Sequence, residues 1–236
     1  MSRGPRERGR AGRSRTPKGQ DRPRVHGPLP RGVAEEVRSL ARPGKGEAAV
    51  RLLDEAVSAL GRERPGDAAE AAAKAKSMAP RSGAVREVLG MALYRTGRFR
   101  EALTELQAYR RLTGRLDQNH LIADCHRALG SPEKAVAPAR EAATSPRLPE
   151  EVRAEAAVVG ASALADLGRF DEALSLLRRH PGSGDVARPH DIRVWYVLAD
   201  VLERSGRRQD AVREFRRILR HDPEAYDVAE RLAALA

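Results

Sequence analysis

Residues 192–225 read IRVWYVLADVLERSGRRQDAVREFRRILRHDPEA, and this stretch decides the fold. Trp195, Leu198, Ala199 and Leu202 recur at three- and four-residue spacing, so they share one face of a helix. Gly206 can take the left-handed backbone that ends that helix. Ala211, Phe215 and Ile218 repeat the spacing beyond it, and Pro223 cannot continue the second helix. The result is a helical hairpin. Small Ala199 and Ala211 let its two helices approach. Trp195, Leu198, Leu202 and Phe215 fill the space around that contact.

With Ile192 numbered 1, the same register recurs upstream. Leu89, Gly90, Leu93, Gly97, Phe99 and Ala102 take positions 7, 8, 11, 15, 17 and 20 of an earlier unit. Ala56, Ala68, Ala72, Ala75 and Pro80 take 8, 20, 24, 27 and 32 of the first. Ile122, Ala123, Gly130, Ala135, Ala139 and Ala142 take 7, 8, 15, 20, 24 and 27 of the third. Leu164, Gly168, Phe170, Ala173 and Leu177 take 11, 15, 17, 20 and 24 of the fourth. The position-20 column is Ala68, Ala102, Ala135, Ala173 and Ala211, with spacings of 34, 33, 38 and 38. The two longer spacings imply insertions at 145–149 and 181–189. The register also has departures: Glu55 at 7 and Glu63 at 15 in the first unit, Asn119 at 4 and Pro132 at 17 in the third, Gly160 at 7 and His180 at 27 in the fourth. Val33, Val37, Leu40 and Ala41 share a further helical face before Arg42-Pro43-Gly44, and Tyr226 onward reads as a terminal helix carrying Ala229, Leu232 and Ala233.

Composition excludes the main alternatives. The 236 residues are 41% hydrophobic and 33% charged, enough to build a core. Aromatics are 3%, with three Ile and five Thr, which speaks against a β-sandwich or barrel. Net charge is +11, and residues 1–31 hold nine Arg and Lys18 against Glu7 and Asp21. The body is therefore nearly balanced, and residues 1–30, with five Gly and five Pro, read as a disordered basic tail. Arg outnumbers Lys 39 to 5, the bias expected of a GC-rich bacterial, actinobacterial-type genome. Cys125 is the only cysteine, so no disulfide can form within the chain, which fits a cytoplasmic setting. No run of about 18 apolar residues is present to span a membrane, and no apolar stretch follows the basic N-terminus as an export signal requires.

The W…L-A…G…A…F…P register resembles the tetratricopeptide repeat (TPR), a 34-residue helix–turn–helix unit. The resemblance implies an all-α fold: an α-solenoid of about five TPR-like repeats, near 49–82, 83–115, 116–153, 154–191 and 192–225, with a capping helix at 226–236 in a domain spanning 31–236. It implies a right-handed superhelix whose first helices line a groove. It also implies a non-catalytic scaffold that binds another protein, as an extended segment or a helix, without a cofactor or metal. By the same resemblance, positions 2, 5, 9, 12 and 13 face that groove. They are Glu87, Met91, Tyr94 and Arg95, then Asp117, His120, Asp124 and Arg127, then Arg193, Tyr196, Asp200, Glu203 and Arg204. The clamp that holds a chaperone's C-terminal carboxylate is not supported, because Leu53 and Val57 occupy positions 5 and 9 of the first unit.

Other chemistries are weaker. Cys125 and His126 are adjacent, and neighbours on a helix point about 100° apart, a poor start for a nucleophile and its base. His120 and Asp124 at i, i+4 could offer two metal ligands, but a closed zinc site wants four. No phosphate loop or nucleophile elbow occurs. Arg213, Arg216, Arg217 and Arg220 fall on one arc of a helix, a candidate phosphate-binding stripe interrupted by Asp210 and Glu214. The alternative function is a nucleic-acid- or ribosome-associated adaptor that uses the basic tail. A scaffold whose array merely dimerises is the remaining reading.

Overall fold

The five position-20 alanines, Ala68, Ala102, Ala135, Ala173 and Ala211, are all fully buried. Each lies near the start of the second helix of a hairpin. The computed structural model describes residues 29–182 and 186–235. Among the described residues there are twelve helices and no strand. A first helix, α1 (Arg31–Leu40), precedes five hairpins. These are α2 (Gly46–Gly61) with α3 (Pro65–Met78), α4 (Gly83–Arg95) with α5 (Phe99–Thr113), α6 (Asn119–Ala128) with α7 (Pro132–Ala143), α8 (Glu150–Asp166) with α9 (Phe170–Leu177), and α10 (Pro189–Arg204) with α11 (Arg208–His221). A last helix, α12 (Val228–Leu235), packs on α11. Each hairpin's first helix also packs on the preceding hairpin, so the core runs along the array instead of gathering at one centre. Residues 1–28 of the expected basic tail lie outside the described residues. Leu29 already packs against the cluster around Val37 and Leu53.

One backbone device closes all five hairpins. At the third hairpin, for example, Gly130 N–H donates to the Arg127 carbonyl and Ser131 N–H reaches back to the His126 carbonyl, each at 2.9 Å. Gly97, Gly130, Gly168 and Gly206 take φ of 73–79° there. Glu63, the departure in the first unit, takes the same conformation at φ 58°, with Arg64 N–H donating to the Ala59 carbonyl at 2.9 Å. The turn is dictated by the five-residue geometry, and Glu63 adopts it despite its Cβ.

Other departures also have structural reasons. At Gly160, an added Cβ would lie 2.9 Å from Leu176 Cδ2 and 3.0 Å from the Ala139 Cβ, so α7 and α9 press on α8 where only glycine fits. Asn119 is buried, and its amide donates to the Pro138 carbonyl (3.1 Å) and to Glu141 (3.3 Å). Pro132 sits in the first turn of α7, where its missing N–H costs nothing. One expectation for α1 needs correction. Val37 is buried, but Leu40, at the end of the helix, is 40% exposed, and Ala34 takes the inner position. Glu36 of α1 accepts hydrogen bonds from Ser82 Oγ and Gly83 N–H, both at 2.8 Å, fastening α1 to the start of α4. Buried Glu105 pairs with Lys76 (2.6 Å) and Arg86 (2.5 Å), tying α3, α4 and α5 together.

Candidate functional site: a groove across four helices

The first helices α4, α6, α8 and α10 lie side by side and enclose a groove of about 640 Å³. Its lining includes Met91, Tyr94 and Arg95 from α4, His120, Asp124 and Arg127 from α6, and Arg193 and Tyr196 from α10. Eight of the thirteen residues placed on the groove by sequence therefore come together. Asp117 lines an adjoining depression that shares Met91, Gln118 and His120 with the groove, and Glu87 accepts from Gln118 at 2.8 Å beside it. Asp200, Glu203 and Arg204 do not line the cavity itself but continue the row of ion pairs that starts on one wall. Arg231 of α12 takes up Asp200 (2.9 Å) and Glu203 (2.5 Å), while Arg204 reaches Asp166 (3.3 Å).

The floor between these residues is apolar: Met91, Leu121, Val158, Val159 and Val197. One wall is a continuous row of polar contacts. The Tyr94 hydroxyl donates to Asp124 at 2.6 Å, and Arg127 bridges Asp124 and Asp166, each at 3.0 Å. Arg204 then links Asp166 to Asp200, and Arg231 ends the row on Glu203 and on the Tyr196 hydroxyl. Each charge in the row has a partner of opposite sign, so the wall is held in register and carries little net charge. Arg193 and Glu155, which also line the groove, pair at 3.2 Å. The far end is closed by Tyr226, whose ring lies 4.6 Å from that of Tyr196.

The titratable groups are tuned mainly by burial. Burial, and then the Asp124 carboxylate, raise the Tyr94 hydroxyl above its ordinary range, so it remains a donor. Burial raises the Glu87 carboxyl and lowers His120. The Nδ1 of His120 is buried without a hydrogen-bond partner among the described residues. The Cys125 thiol is pushed up to about 12 by burial, and it packs in the apolar cluster with Ile122 and Leu106. It is a core thiol and not a nucleophile. Asp124 has both oxygens engaged, by Tyr94 and Arg127, and is not free to join His120 on a metal. A second close group, Glu150, His190 and Asp191, already holds the Arg188 guanidinium, which reaches both carboxylates at 2.9–3.1 Å.

Sequence reasoning missed Glu155, Val158, Ser162 and Asp166 of α8. The first three line the groove, and Asp166 links two arginines of its wall. They occupy positions 2, 5, 9 and 13 of the fourth unit, so the register itself carried the signal. Tyr226 and Arg231 lie beyond the five hairpins, and the 34-residue register did not mark them.

The fold and groove define a class: an α-solenoid of antiparallel helical hairpins with a transverse cleft. Two sequence models, both described as tetratricopeptide repeat, match the chain, one at residues 53–115 and the other at residues 192–235. The chain carries tetratricopeptide repeats in these two stretches. Among solved structures it is similar to a thermophilic TPR protein of Thermus thermophilus, at 19% identity and a TM-score of 0.60, over 79% of this chain and 98% of that one. It is also similar to YrrB, a TPR protein described as having an unusual peptide-binding site, at 16% identity and a TM-score of 0.57, over 78% and 91% of the two chains. The ligand-free quorum sensor NprR of B. thuringiensis aligns at 12% identity with a TM-score of 0.65, over 85% of this chain and 60% of that one. No curated protein matches the chain.

Proposed function

We propose that the protein is a non-catalytic scaffold that holds an extended segment of a partner protein in the groove across α4, α6, α8 and α10. The lining of the groove carries this reading: an apolar floor of Met91, Leu121, Val158, Val159 and Val197 runs across the helices between polar and charged side chains. The apolar floor would take alternate side chains of the segment, and Arg193, Glu155 and His120 would set its register. Support also comes from the peptide-binding site described for YrrB and from a structure of NprR in complex with its cognate peptide, which has a TM-score of 0.51 to this chain.

Random linear peptides displayed on phage and selected on the full-length chain provide the test. Selected peptides should lose at least tenfold in affinity on Tyr94→Ala and on Arg193→Glu, while melting temperatures stay near that of the parent. Peptides that bind both variants unchanged would place the interaction elsewhere. The adaptor reading rests on ten basic residues against two acidic ones over 1–31. Capture from the native host with and without nuclease separates the two, since partners that survive nuclease favour the scaffold.

A further inference from the structure

A second cavity, of about 790 Å³, lies between α11 and α12, away from the groove. Its floor is apolar, made by Val212 of α11 and by Leu232 and Leu235 of α12, all half-buried. Its rim is cationic, with Arg208, Arg213 and Arg216, and among the described residues no carboxylate lines it. Arg213 is offset by Asp210. Arg208 donates to the carbonyls of Leu235 (3.0 Å) and Ala234 (3.2 Å). Arg216 is exposed and forms no hydrogen bond or ion pair among the described residues. The four-arginine stripe read from the sequence is broken. Arg217 turns back over the Trp195 ring at 3.7 Å and donates to the Pro181 carbonyl at 2.9 Å. The positive charge that remains on this face therefore borders an apolar trough.

The geometry points to this trough as a docking surface for an acidic amphipathic helix of a partner protein, independent of the groove. The eight residues of α12 rise about 12 Å, the length of about two turns of a partner helix laid beside it. Leucine-sized side chains would sit on Leu232 and Leu235, and a carboxylate on Arg216. Nucleic acid fits less well. Phosphates gain nothing from the leucine floor, and no aromatic residue lines the trough to stack a base. A second copy fits less well again. A two-fold dimer would oppose the same patch on both subunits and bring two cationic rims together.

The test uses two labelled 14-residue helical peptides with leucine at i, i+3, i+4 and i+7, one flanked by glutamate and the other by lysine. Fluorescence anisotropy is read with the full-length chain at low salt. The glutamate peptide should bind and the lysine peptide should not. Arg216→Glu, at an exposed position, should weaken the glutamate peptide at least tenfold with an unchanged melt, and Leu232→Ser should weaken it as well. Tyr94→Ala in the groove should leave its affinity unaltered, so that failure of this surface and failure of the groove reading remain distinguishable. Equal binding of the two peptides overturns the proposal, as does glutamate-peptide binding that Arg216→Glu leaves unchanged, the result expected if residues 1–28 alone attract it. Full competition by a duplex oligonucleotide reassigns the trough to phosphate. Self-association abolished by Arg216→Glu reassigns it to a second copy.

Discussion

Replacing Glu63 with glycine should stabilise the protein, although it deletes a side chain and loosens the unfolded chain. Glu63 sits at φ 58° in a turn whose four counterparts are all glycine. Its side chain is exposed and makes no hydrogen bond or ion pair among the described residues, so removing it breaks no contact. A left-handed backbone costs an L-residue roughly 1–2 kcal/mol, and glycine escapes that cost. Against this, glycine gives the unfolded chain about 0.4–1 kcal/mol of extra conformational entropy. The net gain is about 0.5–1 kcal/mol, or about 1–4 °C in Tm for a chain of this size. In a repeat array the gain should be concentrated in the first hairpin. Hydrogen exchange in α2 and α3 should therefore slow more than in α10 and α11. Thermal and urea melts followed by circular dichroism give the overall effect. The reciprocal change, Gly206→Ala, places a Cβ where no atom lies within 4 Å, so its cost is purely backbone, about 1 kcal/mol. The reasoning is refuted if Glu63→Gly lowers stability while Gly206→Ala is neutral, because the two turns would then not share one conformational cost.

Glu105→Ala removes the carboxylate shared by Lys76 and Arg86 and should destabilise by about 3 kcal/mol, read as a lower urea midpoint; an unchanged midpoint would show that the three-helix tie is dispensable. Gly90→Ala would drive a Cβ to 2.6 Å from Leu106 Cδ2 and should cost about 1–3 kcal/mol by overpacking, with Leu106→Ala in the same chain restoring part of the Tm. Burial lowers the folded pKa of His120, His126 and His180 below the ordinary value, so the unfolded chain takes up protons first as the medium acidifies. Their contribution is intact above about pH 6.5 and is lost as pH falls through that value toward the lower folded pKa values, and His120→Gln should flatten the decline of Tm between pH 7 and pH 5. Cys125, buried and with its thiol raised to about 12, should resist iodoacetamide at pH 8 until denaturant is added; rapid native labelling would contradict its place in the core.

The groove shows how far local pattern reaches. Met91, Tyr94, His120 and Asp124 were legible because a helix fixes the direction of each side chain from its position alone. The α8 residues followed the same rule and could have been placed from the register. Asp200 and Glu203 were assigned to the groove by that rule, yet their carboxylates are turned to Arg231, a residue of α12 outside the five hairpins.

By itself the sequence determined the hairpins. Apolar period, small residues where helices touch, and glycine or proline at their ends are all local, and local preferences act before any distant contact forms. It also determined the order of stacking, since each two-faced hairpin must bury its neighbour's apolar face. Tertiary structure alone decided which charges are left for a partner. Arginine side chains are long enough to reach carboxylates on adjacent helices, so the pairing of Arg127, Arg204 and Arg231 depends on distances between helices. Those distances are set by packing, and even a left-handed Glu63 yields to it.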